Sequence, residues 1–149
     1  MPATKYRLEP VLRYRQVLTD QAIGQLGALQ LQRVQVEGRI REIAQETAGA
    51  MDALGRLQQA PQPEVPVMQR YVEALDRLRR QEAQQRQRLA DVDALIAAQR
   101  EAVAERRKDQ EALQTLKDKF LEGVQRQEAQ AEARLVDEAV SVAAARGGR

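Results

Sequence analysis

The chain has 149 residues, one domain's worth on length alone, with 43% hydrophobic residues but only 3% aromatic and 31% charged. Ala, Glu, Gln, Leu and Arg dominate, and this mixture of strong helix formers with almost no bulky aromatics suits a thin apolar seam better than a thick core. Lys and Arg number 24 against 22 Asp and Glu, for a net charge of +2, and the two signs are interspersed as on a solvated helix face.

From Leu8 the apolar residues recur at spacings of three and four. Leu8, Val11, Leu18 and Ala22 set up a first seam with Arg15 at the interrupted position. The pattern then shifts by one residue and continues as Leu26, Leu29, Val36, Ile40, Ile43, Ala50, Leu54 and Leu57, with Arg33 and Thr47 in seam positions. The extra residue between Ala22 and Leu26 is expected to relax any supercoil there. Gly24, Gly27, Gly38, Gly49 and Gly55 lie off the seam. Each costs about 1 kcal/mol of helix propensity relative to Ala, so this helix depends on packing against a partner.

Pro61, Pro63 and Pro66 follow. They remove amide donors and clash with the preceding turn, so no helix runs through the segment. The seam resumes at Met68 and runs Tyr71, Leu75, Leu78, Leu89, Val92, Ile96, Val103, Leu113, Phe120 and Val124. Glu82, Gln85, Gln99, Arg106, Gln110 and Lys117 fill the remaining seam positions, and Leu95, Ala102, Leu116 and Leu121 form a stripe beside it. Polar seam residues weaken burial while fixing register. The expected fold is all-α: a two-helix antiparallel coiled-coil hairpin with helix 2 longer than helix 1. One coiled-coil domain over 1–149 is expected, with helix 1 at about 8–59, the bend at 60–66 and helix 2 at about 67–145. Helix 2 should overhang helix 1 from about residues 123–126, leaving Ala129, Ala133, Val136 and Val140 with nothing opposite. A protein of this pattern is expected to be an elongated monomer in isolation.

The chain contains neither histidine nor cysteine, so the usual structural zinc ligands and the commonest general base are missing. Carboxylate pairs such as Asp91 with Asp93, or Asp137 with Glu138, point in different directions on a helix. No phosphate-binding glycine loop or nucleophile-elbow motif occurs. The expectation is a protein that is not an enzyme and uses no cofactor. Basic clusters occur at Lys5-Tyr6-Arg7, at Arg77 with Arg79-Arg80, and at Arg106-Arg107-Lys108. They are balanced by Glu73, Asp76, Glu82, Glu101, Glu105 and Asp109, and few aromatics are present to stack on bases, which argues against nucleic acid. No stretch approaches the roughly 18 apolar residues of a membrane span, so a cytoplasmic protein without direct membrane insertion is expected. Tyr71 with Val72, and Phe120 with Leu121, each place two large apolar residues on one turn. Both members cannot face one partner helix, so one of each pair is expected at the surface.

The sequence resembles the FliJ family of flagellar type III export. The resemblance rests on Tyr6-Arg7-Leu8 followed by Val11-Leu12-Arg13 and Arg15, and on Met68-Gln69-Arg70-Tyr71-Val72-Glu73-Ala74-Leu75 after the bend. It rests further on Leu113-Gln114-Thr115-Leu116-Lys117-Asp118-Lys119 and on Arg134-Leu135-Val136-Asp137-Glu138. It implies a stalk that inserts into a hexameric export ATPase, promotes its assembly and activity, and links it to the membrane export gate and to export chaperones. Such a protein sits peripherally on the inner-membrane export apparatus. By the same resemblance the gate would bind Ile43, Tyr71, Leu75 and Leu78, and the ATPase ring would meet Arg134, Asp137 and Glu138. Where some members carry tyrosines near the bend this chain has Glu46 and Ala50. Two alternatives remain open at this point: the equivalent stalk of a virulence secretion system of the YscO type, and a generic scaffold or tethering coiled coil.

Overall fold

A computed structural model describes residues 5–147, and these form two α-helices, α1 (Glu9–Gln58) and the longer α2 (Val65–Gly147). The helices pack antiparallel as a hairpin. The start of α1 is set by a tight turn in which the Glu9 amide donates to the Tyr6 carbonyl at 3.1 Å. Pro10 follows directly, in the first turn, where a missing N–H costs nothing, and Glu9 places a carboxylate beside the positive end of the helix. At the other end the last turn tightens, the Ala60 amide reaching the Leu57 carbonyl at 3.3 Å, and Pro61 ends the helix.

The second helix begins slightly earlier than the prolines suggest. The Glu64 carbonyl accepts from the amides of Val67 and Met68, each at 3.1 Å, so Pro66 lies inside the first turn of α2. Its absent N–H is one that a helix start leaves unpaired anyway, and its fixed φ is already helical. The break therefore occupies the residues between Gln58 and Val65, and Pro66 serves the next helix.

Contacts divide the chain into two compact units, Met1–Gln21 with Val103–Arg149, and Ala22–Ala102. In the Ala22–Ala102 unit the buried apolar side chains are Ala22, Val36, Ile43, Leu75, Leu78, Val92 and Ile96. Cross-helix polar contacts fix the antiparallel register here. Arg33 Nε donates to Asp93 Oδ1 at 2.6 Å while the same guanidinium pairs with Glu37. Gln99 Nε2 donates to the Ala22 carbonyl at 3.0 Å and to Gln25 Oε1 at 3.1 Å. The polar seam residues Arg33 and Gln99 are thus satisfied across the interface, which is how a seam tolerates them.

In the other unit Leu12, Thr19 and Val103 are buried. Arg15 pairs with Asp109 at 3.4 Å, and Lys117 Nζ lies 2.9 Å from Glu9 Oε2. The first turns of α1 correct the expected seam. Leu8 and Val11 are 40% and 41% exposed, whereas Leu12 is 1% and Thr19 4% exposed. From Leu12 the inward positions run through Arg15, Thr19 and Ala22 to Leu26 and onward in one unbroken alternation of threes and fours, so no residue is inserted between Ala22 and Leu26. Thr19 was missed because a threonine does not read as a core residue. Its hydroxyl donates to the Arg15 carbonyl at 3.0 Å, which satisfies the polar atom and leaves the methyl to pack. Thr47 uses the same bond, to the Ile43 carbonyl at 2.7 Å. In α2 every expected seam residue from Met68 to Val124 is at least partly buried except Arg106, which is exposed.

Candidate functional surfaces

Near the bend, within the Ala22–Ala102 unit, the hairpin offers an apolar flank. Of the four residues expected there, Ile43 is fully buried at 0% exposure, Leu75 and Leu78 lie at 9%, and Tyr71 is half-buried. Ile43, Leu75 and Leu78 therefore act in this structure as packing between α1 and α2. The exposed member of the Tyr71-Val72 pair is Val72, at 54%. Val65, one heptad earlier on the same flank of α2, is also exposed, as is Met51 of α1. The sequence marked Val72 as one member of an adjacent pair, but it did not single out Val65 or Met51. The signal for Val65 and Val72 was available in their seven-residue spacing, which places both just outside the seam.

Part of the charge near this flank is paired. Arg80 pairs with Asp76 at 3.2 Å, and Arg39 pairs with Glu42 at 3.1 Å and with Glu46 at 3.5 Å. Glu46 is thus engaged with its own helix. Exposed pairs of this kind contribute little stability, but they leave the apolar side chains as the distinctive feature of the surface.

The other unit holds two features. At its paired end Tyr6 and Phe120 stack with ring centroids 5.5 Å apart and planes tilted by 43°. This contact accounts for the aromatic opening of the chain, and it leaves Leu121 as the exposed member of its pair, at 42%. Beside the rings, Lys117 Nζ donates to Glu9 Oε1 at 3.1 Å and lies 2.9 Å from Oε2 as an ion pair, and Arg13 lies 3.6 Å from the same carboxylate. The hydrogen bond from Lys117 holds the Glu9 carboxyl below its ordinary pKa; burial opposes the shift, and the charges of Lys117 and Arg13 reinforce it.

The second feature is the C-terminal part of α2, where every residue from Gln125 to Gly147 is exposed. Arg134, Asp137 and Glu138 are all on the surface, and their spacing of three and four puts the arginine beside both acids. Leu135, Val136, Val140 and Val142 are exposed as well, at 66%, 60%, 62% and 52%. Nothing among the described residues covers them.

Among the described residues no group of three His, Cys, Asp or Glu side chains is placed to hold a metal ion, and no helix is long and apolar enough to cross a membrane. The family model described as Flagellar FliJ protein matches residues 4–149. No curated protein and no solved structure matches the chain.

Proposed function

This chain belongs to the flagellar FliJ protein family, whose members are coiled-coil proteins related to flagellar export, and we propose that it is the non-catalytic stalk of the export apparatus. In this reading the C-terminal part of α2 inserts into the hexameric export ATPase and promotes its assembly and activity. The bend end engages the membrane export gate, and export chaperones are further partners. The protein is then cytoplasmic and peripherally held at the inner-membrane apparatus.

The observation that carries the reading is the exposure of the whole segment Gln125–Gly147. A lone helix of this length is marginal in water even with good formers, so a segment of this kind gains from a partner that surrounds it. Arg134, Asp137 and Glu138 are the proposed ring contacts. Truncation after Gln125 tests this: the paired helices should remain, because their buried residues all lie before that point, while stimulation of the ATPase is lost. Full stimulation by the truncated chain would refute ring insertion by this segment.

For the gate we assign the contact surface to Tyr71, with Val72 beside it and the buried Ile43, Leu75 and Leu78 as the seam that supports the hairpin. Tyr71→Ala and Val72→Ser should each weaken gate binding in calorimetry while leaving helicity nearly intact. Wild-type affinity in both would remove this flank from the site.

A further inference from the structure

The exposed C-terminal segment carries an apolar row that is not in phase with the hairpin. Continuing the seam of α2 beyond Phe120 and Val124 leads to Gln127, Ala131, Arg134, Glu138 and Ser141, a largely polar row. One apolar row lies on another face: Ala129, Ala133, Val136, Val140, Ala143 and Gly147, again alternating fours and threes. Val136 and Val140 at its centre are 60% and 62% exposed, while the exposed Leu135 and Val142 lie off this face, more than a quarter-turn away. A longer α1 would not cover this face, because the phase change turns it away from the seam.

The order of residues along the face is self-complementary. We propose that it pairs with the same face of a second copy of this chain, antiparallel, about a two-fold axis level with residue 138. Val136 then packs against Val140 of the second copy and Ala133 against Ala143, so large meets large and small meets small in every layer. In an antiparallel pair each flank meets its own counterpart. The flank carrying Glu132, Ala139 and Arg146 therefore places Glu132 opposite Arg146 of the second copy twice, with the two Ala139 residues meeting at the axis. The other flank brings the two Asp137 side chains together at the axis, so the pairing carries one built-in repulsion.

This zipper is short. Ala129–Gly147 spans roughly 28 Å of helix and buries less than the roughly 1,200 Å² of a stable interface, so it is a reversible contact with a dissociation constant on the order of 10⁻⁴ to 10⁻³ M. The free chain is then a monomer when dilute and covers its apolar face by self-pairing when locally concentrated. The inference concerns the free chain and does not rest on the ring reading.

The chain has no cysteine, so single cysteines report the contact cleanly. Full-length Ala139→Cys should form oxidative dimers readily, whereas Ser141→Cys, on the opposite side of the helix, should not. In sedimentation equilibrium each of Glu132→Arg and Arg146→Glu should weaken association about fivefold, since the axis removes two exposed pairs at once, and the double substitution should restore it. Asp137→Asn should tighten it. A chain that stays monomeric up to about 1 mM, equal cross-linking of the two cysteine variants, or a double substitution as weak as the singles would each overturn the proposal.

Discussion

Ile43→Ala tests where the stability of the hairpin resides. Ile43 is 0% exposed, one of the two largest fully buried side chains among the described residues. The substitution deletes three carbon groups, worth about 0.8 kcal/mol each when fully buried, or about 2.4 kcal/mol of lost transfer energy. A cavity contribution adds to this, but a two-helix seam has solvent on both flanks and can partly collapse, so a total of about 2.5–3.5 kcal/mol is expected, near the lower end of such substitutions in thick cores. Urea unfolding followed by circular dichroism measures it. The control is Leu31→Ala, at 60% exposure, which should cost under about 0.5 kcal/mol. The pair also bears on the gate: if Ile43 acts only as packing, gate affinity of the still-folded Ile43→Val protein should match wild type. Comparable destabilisation by Ile43→Ala and Leu31→Ala would refute the idea that the seam carries the stability.

Gly27→Ala should stabilise the protein by about 0.5–1 kcal/mol, because a Cβ built at Gly27 meets nothing within 4 Å and the helix gains propensity; a lower thermal midpoint would mean that the glycine is needed for packing. Glu9→Gln should destabilise at neutral pH and become harmless in acid. The folded Glu9 carboxyl titrates below its ordinary 4.5, so its contribution is present above that value and is lost as the pH falls through the lower folded value. Thermal midpoints of the two proteins should therefore converge on acidification, and a constant gap would exclude the Lys117 pair as its source.

Sequence alone determined the two elements and the break between them, although Val65 and Pro66, expected in the bend, belong to the first turn of α2. Prolines at 61, 63 and 66 have no route through a helix interior, and strong helix formers fill the stretches on either side. The α2 seam was legible from Met68 to Val124 because a heptad repeat is a local property of one strand of sequence. The phase of α1 at its first turns was not, since Leu8, Val11 and Leu18 offered an apolar row as plausible as the true one. What placed Leu12 and Thr19 inward is the partner helix, against which the whole of α1 must keep one register. Pairing across the hairpin likewise came only from the tertiary structure: Arg33 with Asp93, Gln99 with the Ala22 carbonyl and Lys117 with Glu9 join residues far apart in the chain. The same holds for the proposed surfaces. Composition marked Tyr71-Val72 and Phe120-Leu121 as pairs that could not both be buried, yet which member faces outward depends on the rotation of α2 against α1, set by the sum of all the seam contacts and not by any residue's own preference.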